Sequence, residues 1–198
     1  SERKDRNMID IGILGLDTSH AESFPEIIQA IGPESVLDGA ESVAEFSISA
    51  VYDEERIRDQ EYVEHYCSTY GAERFGSIES MVGAVDMAMV LSVDWERHVP
   101  LATPFLEAGV PTFIDKPIVG SYDDLQTLER AAQEAPVFGG SAVPFHPAFA
   151  EFPREASGRT THVVGYNDYF YYRVHATDTL RYVATADWES VEPVSDID

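Results

Sequence analysis

The chain has 198 residues, 36 Asp+Glu against 13 Lys+Arg, a formal charge of −23 and a hydrophobic content of 44%. This balance excludes nucleic acid and anionic membrane surfaces as partners, because phosphate recognition needs a basic face. The apolar fraction excludes an acidic disordered chain. The acid is scattered along the chain rather than gathered in a tail, and lysine occurs only as Lys4 and Lys116. Both traits suit a folded protein of a high-salt cytoplasm, where a Debye length of about 3 Å screens surface self-repulsion.

Cys67 stands alone, so neither an intramolecular disulfide nor a cysteine-based zinc site is expected. Met8 reads as a native start, and Ser1–Asn7 lacks the apolar core of a signal peptide. No apolar run approaches the ~20 residues that cross a bilayer. The expectation is a soluble, cytoplasmic protein.

Ile9–Gly15 alternates and then turns wholly apolar, as a strand entering a sheet centre does. Ser19 with Glu22 forms a capping box, which predicts a helix from His20 to Ala30, ended by Gly32-Pro33. After a polar insert, Glu34–Ala44, the segment Glu45–Tyr52 alternates as a second strand closed by Asp53. Glu54–Tyr70 reads as a charged helix stopped by Gly71, Ser77–Val85 as a region holding a short helix, and Met87–Val93 as a third strand. Asp94 can cap a helix in which Trp95, Val99, Ala102 and Leu106 follow helical spacing, with Gly109 at its C′ position. Val110–Ile114 suits a strand buried on both faces. Asp123–Ala135 is amphipathic, with Leu125, Leu128, Ala131 and Ala132 on one face, and Val137–Val143 reads as a last strand.

Strands alternating with helices in this way predict an α/β fold, a Rossmann-type doubly wound parallel sheet. Beyond Pro144 the texture changes. Phe145–Phe152 reads as a short helix, Thr161–Tyr169 as a strand, His175–Ala184 as a helix and Thr185–Asp198 as a polar surface segment. Residues 144–198 are therefore expected to form a truncated α+β second domain after a first domain spanning 8–143.

Asp115-Lys116-Pro117 falls at the carboxyl edge of its strand, where open α/β sheets bind ligands. An arginine there would hold a salt bridge equally well, but only an amine shifts its pKa and exchanges a proton. The plain alternative is a lysine paired with Asp115 or reaching to solvent.

With these residues placed, the chain resembles the Gfo/Idh/MocA family of NAD(P)-dependent sugar and polyol dehydrogenases, over roughly Ile9 to Val183. The residues that carry the resemblance are Ile11–Gly15, Asp53 and Val90-Leu-Ser followed by a helix with His98. Ala108-Gly-Val-Pro-Thr-Phe-Ile-Asp-Lys-Pro, Phe145-His-Pro-Ala-Phe and Val174-His-Ala-Thr-Asp-Thr-Leu-Arg-Tyr-Val complete it. The family usually has Glu-Lys-Pro where this chain has Asp115-Lys116-Pro117. The resemblance implies hydride transfer between NAD, with NADP possible, and a sugar, polyol or related hydroxy compound. It implies cofactor contacts from Gly15, Asp17, Thr18, Ser19, Asp53, Ser92 and Asp115. It implies catalytic roles for Lys116, His175 and Tyr171, no metal, and a homo-oligomer.

Two departures stand out. Of the Gly-x-Gly-x-x-Gly phosphate fingerprint only Gly15 survives, with Asp17 and His20 in the other glycine places. Tyr171 occupies the position of a family Asp, and the run Tyr169–Tyr172 reads equally well as core packing. Asp53 suits ribose hydroxyls and NAD, or else a strand-end turn, while Arg56 and Arg58 keep NADP open. His98 reads as a surface or half-buried residue. Asp178 and Arg181 read as a pair, and His65 and His162 lack ligand-like neighbours. The rival function is a non-catalytic ligand sensor or regulatory subunit that has lost cofactor binding. About fifty residues after Pro144 cannot build the family's second sheet, which predicts a fragment or a short form.

Overall fold

The computed structural model describes residues 8–30, 45–149, 160–165, 169–184, 189–190 and 192. The insert Glu34–Ala44 and most of the closing polar segment lie outside the described residues. The chain divides into two compact units, Ser1–Gly139 and Gly140–Asp198.

In the first unit, strands β1 (Met8–Leu14), β2 (Glu45–Tyr52), β3 (Glu73–Arg74), β4 (Met87–Val90), β5 (Thr112–Ile114) and β6 (Val137–Gly139) form one sheet. Its order is β3-β2-β1-β4-β5-β6, with every neighbouring pair parallel. The chain winds one way from β1 to β3, then returns past β1 to β4, so the topological switch point lies between the carboxyl ends of β1 and β4. Helices α1 (His20–Ala30), α2 (Gln60–Tyr70), α3 (Ile78–Val82), α4 (His98–Glu107) and α5 (Tyr122–Ala131) connect the strands.

The two-residue period of a strand divides the core between the faces of the sheet. Ile11, Ile13, Met89 and Leu91 pack on one face with Val63 and Tyr66 of α2 and Ala21 of α1. Leu14, Ala88 and Val90 pack on the other with Met81 of α3, Phe105 and Leu106 of α4 and Leu128 of α5. Burial on both faces is why β1, β4 and β5 read as near-continuous apolar runs. Phe105 is fully buried, and truncating it to Ala would cost about 3–5 kcal/mol.

Several element limits differ from the sequence reading. The helix expected over Glu54–Tyr70 begins only at Gln60, because the Asp59 carboxylate caps it by accepting from the Tyr62 amide. The short helix is Ile78–Val82, capped by Ser77, and a two-residue edge strand, β3, precedes it unannounced. The third strand stops at Val90 rather than Val93. Asp94 caps a 3₁₀ turn, Trp95–Arg97, which leads into α4, and Gly109 follows α4 with φ +79. Ser121 caps α5, so the helix starts earlier than expected and ends at Ala131, with Leu125 exposed and only Leu128 and Ala131 fully on the core face. The last strand ends at Gly139, not Val143: a Cβ there would lie 1.8 Å from the carbonyl oxygen of Ile114, and φ is +146.

In the second unit the expected helix Phe145–Phe152 is instead two 3₁₀ turns, Val143–Phe145 and Pro147–Phe149; residues 150–152 lie outside the described residues. The expected strand Thr161–Tyr169 is irregular over 160–165, and Tyr169 already belongs to helix α6 (Tyr169–Ala184). Ser141 anchors α6, its amide donating to Asp178 Oδ2 at 3.0 Å. Asp178 is thus engaged by a backbone N–H rather than reserved for Arg181. Among the described residues no helix is long and apolar enough to cross a membrane.

Candidate active site

The loop from β1 to α1 begins at Gly15, whose φ is +86 and where a Cβ would sit 2.9 Å from the backbone of Ser92. Only glycine lets the end of β1 close on the loop after β4 this tightly. The next amide, Leu16 N–H, donates to Asp53 Oδ2 at 2.7 Å, and Asp53 Oδ1 accepts from the Glu55 amide at 2.7 Å. Asp53 is thereby fixed at the carboxyl end of β2. Burial pushes its carboxyl above the usual range, with the Leu16 bond opposing.

Asp17, in the place of the second fingerprint glycine, accepts from Val93 N–H at 3.0 Å and from Ser92 Oγ at 3.2 Å. Its negative charge is therefore spent on the loop after β4. Gly15, Asp17, Asp53 and Ser92 line one cleft at the switch point, a cavity of ≈ 150 Å³, together with Tyr52 and Arg56. At its mouth Arg56 pairs with Asp94 at 2.7 Å, and Arg97 pairs with Glu54. Arg58 Nε donates to Leu16 O at 3.1 Å, and its guanidinium stacks 4.3 Å over the Tyr62 ring.

Helix α1 has the limits that its sequence predicts, but not the predicted capping box. The His20 amide donates to Thr18 Oγ1, and the Glu22 and Ser23 amides donate to Ser19 O. The Glu22 carboxylate accepts instead from Tyr62 Oη at 2.6 Å, and burial, with that bond beside it, pushes the phenol up to about 12.

On the far side of the switch point, Asp115 is 5% exposed. Its Oδ1 accepts from the Lys116 amide at 2.7 Å, and its Oδ2 takes His20 Nδ1–H at 2.5 Å. The Lys116–Pro117 peptide is cis. That turn is held from below by His98, which is completely buried rather than on the surface. His98 Nδ1 lies 2.8 Å from Pro117 O and Nε2 lies 2.7 Å from Ser92 O. The Asp115 hydrogen bond raises the His20 pKa above its ordinary 6.5, against partial burial and the Lys116 charge.

In the second unit, His175 lies in α6 with Nδ1 2.6 Å from Ser141 Oγ. Tyr171 is in the first half of the same helix, and its side chain lies outside the described residues. Burial pushes the Cys67 thiol up, which leaves it a poor nucleophile. The sequence reading missed His20 as an Asp115 partner. The only available signal was its place as a substitute for glycine.

The arrangement fits a dinucleotide. Gly15 makes the tight turn of the first fingerprint glycine, α1 begins just after that loop, and Asp53 stands at the end of β2, where a Rossmann unit carries its ribose-binding carboxylate. Residues 17–139 match the model of the oxidoreductase family with an NAD-binding Rossmann fold, Gfo/Idh/MocA. The chain belongs to that family. Within it, the cofactor is NAD or NADP, as the resemblance implied, and the α/β Rossmann fold is as expected.

The structure is similar to UDP-N-acetylglucosamine 3-dehydrogenase from Acidithiobacillus ferrooxidans, with TM-score 0.55 and 20% identity, covering 72% of this chain and 41% of that one. It is similar to scyllo-inositol dehydrogenase from Lactobacillus casei, with TM-score 0.51 and 20% identity over 67% and 36%. It is also similar to biliverdin reductase from Synechocystis, a complex with biliverdin and NADP+, with TM-score 0.52 and 14% identity over 67% and 37%. At these identities the likeness is one of fold, and the chain spans about two fifths of each structure's length. No curated protein matches the sequence.

Proposed function

We propose that this chain serves a nicotinamide-dependent oxidoreductase that acts on a sugar, polyol or related hydroxy compound, with NAD as its cofactor. The observation that carries the proposal is the cleft at the switch point, where Gly15 closes on Ser92 and Asp53 stands at the end of β2. Asp53 favours NAD because a 2′-phosphate would meet its carboxylate, while Arg56 and Arg58 already have partners. When bound, the nicotinamide supplies the hydride acceptor or donor. Thr18 and Ser19 offer hydroxyls at the start of α1.

Lys116, at the carboxyl edge of β5, is assigned to the substrate oxygen, where an ammonium stabilises or exchanges its proton. By the same resemblance His175 acts as general base when the alcohol is oxidised, and Tyr171 bonds the substrate. A high-salt source and a homo-oligomer belong to this proposal too.

One observation favours a second reading, a non-catalytic ligand sensor or regulatory subunit that has lost cofactor binding: Asp17 puts a carboxylate where the fingerprint needs glycine. Titrating the 198-residue chain with NADH and NADPH by fluorescence in molar KCl separates the two. Micromolar binding of NADH, kept in Lys116→Ala, supports the dehydrogenase, and a sugar and polyol oxidation screen follows. Absence of binding by chain shown to be folded in the same buffer would sink it.

A further inference from the structure

The first unit is acidic wherever its nucleotide site is described: Asp17, Asp53, Glu54, Asp94 and Asp115 all face the carboxyl edge of the sheet or its mouth. Asp17, Asp53, Glu54 and Asp94 are each met by backbone amides, a serine hydroxyl or an arginine. Asp115 differs, because its second oxygen is met by a group that can lose its charge. Deep burial denies it water, and Oδ2 rests on His20 Nδ1–H at 2.5 Å.

His20 is the first residue of α1, the helix end that receives the pyrophosphate in a Rossmann unit. A carboxylate on Nδ1 fixes the ring orientation and leaves Nε2 to carry the second proton. With that proton the pair is neutral; without it the pair carries one net negative charge, with Lys116 as its cationic neighbour. The charged groups acting on the ring are Asp115 at the end of β5 and Lys116 next to it, the first favouring the proton and the second opposing it. Phe24 of the same helix meets the ring edge-on at a centroid distance of 5.3 Å and brings no charge.

We propose that His20, held by Asp115, is the affinity-setting group of the nucleotide site, so that the dinucleotide binds the protonated His20–Asp115 pair and takes up a proton when the pair lacks one. The proposal rests on the nucleotide-binding reading above and deepens it. The residue in the third glycine place thus brings a charge that can be switched on at the start of α1, the end at which a Rossmann unit holds its pyrophosphate. The Asp115 hydrogen bond raises the affinity of His20 for its proton, so the change lies above the ordinary histidine value of 6.5.

The test is NADH titration by fluorescence from pH 6.5 to 9 in 1 M KCl, where long-range surface charge is screened but contact-range pairs are not. Calorimetry in two buffers of different ionisation enthalpy accompanies it. Wild type should lose affinity by up to about tenfold per pH unit above the His20 midpoint and take up a fraction of a proton on binding. His20→Gln should bind at the weak alkaline limit with no slope and no uptake. Asp115→Asn should move the slope to lower pH. In wild type, the NMR titration of the His20 ring should shift upward when NADH is added.

A flat pH profile in wild type that binds NADH would overturn this proposal alone, as would a wild-type slope retained in His20→Gln. Absence of NADH binding by folded wild type would overturn the nucleotide reading and this proposal with it. The ring titration in wild type keeps the test open should a variant fail to fold.

Discussion

His98 reaches the Pro117 carbonyl at 2.8 Å with one ring nitrogen and the Ser92 carbonyl at 2.7 Å with the other. One fully buried imidazole thus ties the Lys116–Pro117 turn to the loop after β4, the two segments that flank the switch point. Replacing it with Ala opens a cavity and removes the ring N–H that one of these buried carbonyls accepts from. The expected cost is about 2–4 kcal/mol, read from urea denaturation in fixed salt. A loss below 0.5 kcal/mol, taken here as about the scale of a neutral surface substitution, would show that the ring is dispensable.

Gly15→Ala tests the closure of the loop. The new Cβ would lie 2.9 Å from the Ser92 backbone at φ +86, so the strand end or the loop must shift. A destabilisation of about 1–3 kcal/mol is expected, with a larger proportional loss of NADH affinity. Unchanged affinity in a folded variant would remove Gly15 from the site.

Asp53→Ala leaves the Leu16 amide without its acceptor. Leu16 is fully buried, so the cost should be about 1–3 kcal/mol. The same change should narrow the preference of NADH over NADPH, because the carboxylate that repels a 2′-phosphate is gone. A preference that survives intact would assign cofactor choice to another residue.

Stability should fall on the alkaline side for a reason located in one pair. Folding raises the His20 pKa above 6.5, so the folded chain holds this proton more tightly than the unfolded one. The contribution is complete below about that value and is lost as pH rises through the raised one. The His20 side chain is 37% exposed, and solvent screening keeps the effect modest. Urea midpoints at pH 6 and pH 9 should differ less in Asp115→Asn than in wild type.

The central strands were legible because burial on both faces leaves an apolar run that no polar alternation interrupts. Helix limits were less so. Asp59 and Ser121 cap helices without any Glu or Gln at the box position that would draw notice, and Ser19 with Glu22 carries the motif while its glutamate serves Tyr62. β3 is two residues long and has no period to read. Gly15 and Asp53 stand at the ends of β1 and β2, where the sequence reading placed them. His20 and His98 act through partners 95 and 19 residues away in sequence, and only the fold brings those together.

The paired arginines at the cleft mouth have a kinetic meaning. Arg56 with Asp94 and Arg97 with Glu54 offset part of the acid at that rim, where Glu96 adds one more carboxylate, on a chain of charge −23. An anionic nucleotide approaching at low ionic strength climbs a repulsive potential set mainly by the rest of the surface, because the two ion pairs blunt the local one. Salt should therefore accelerate arrival while leaving departure, governed by contacts inside, nearly constant. Stopped-flow NADH association that quickens between 0.1 and 2 M KCl, with a steady dissociation rate, would be the signature of an entrance adapted to brine.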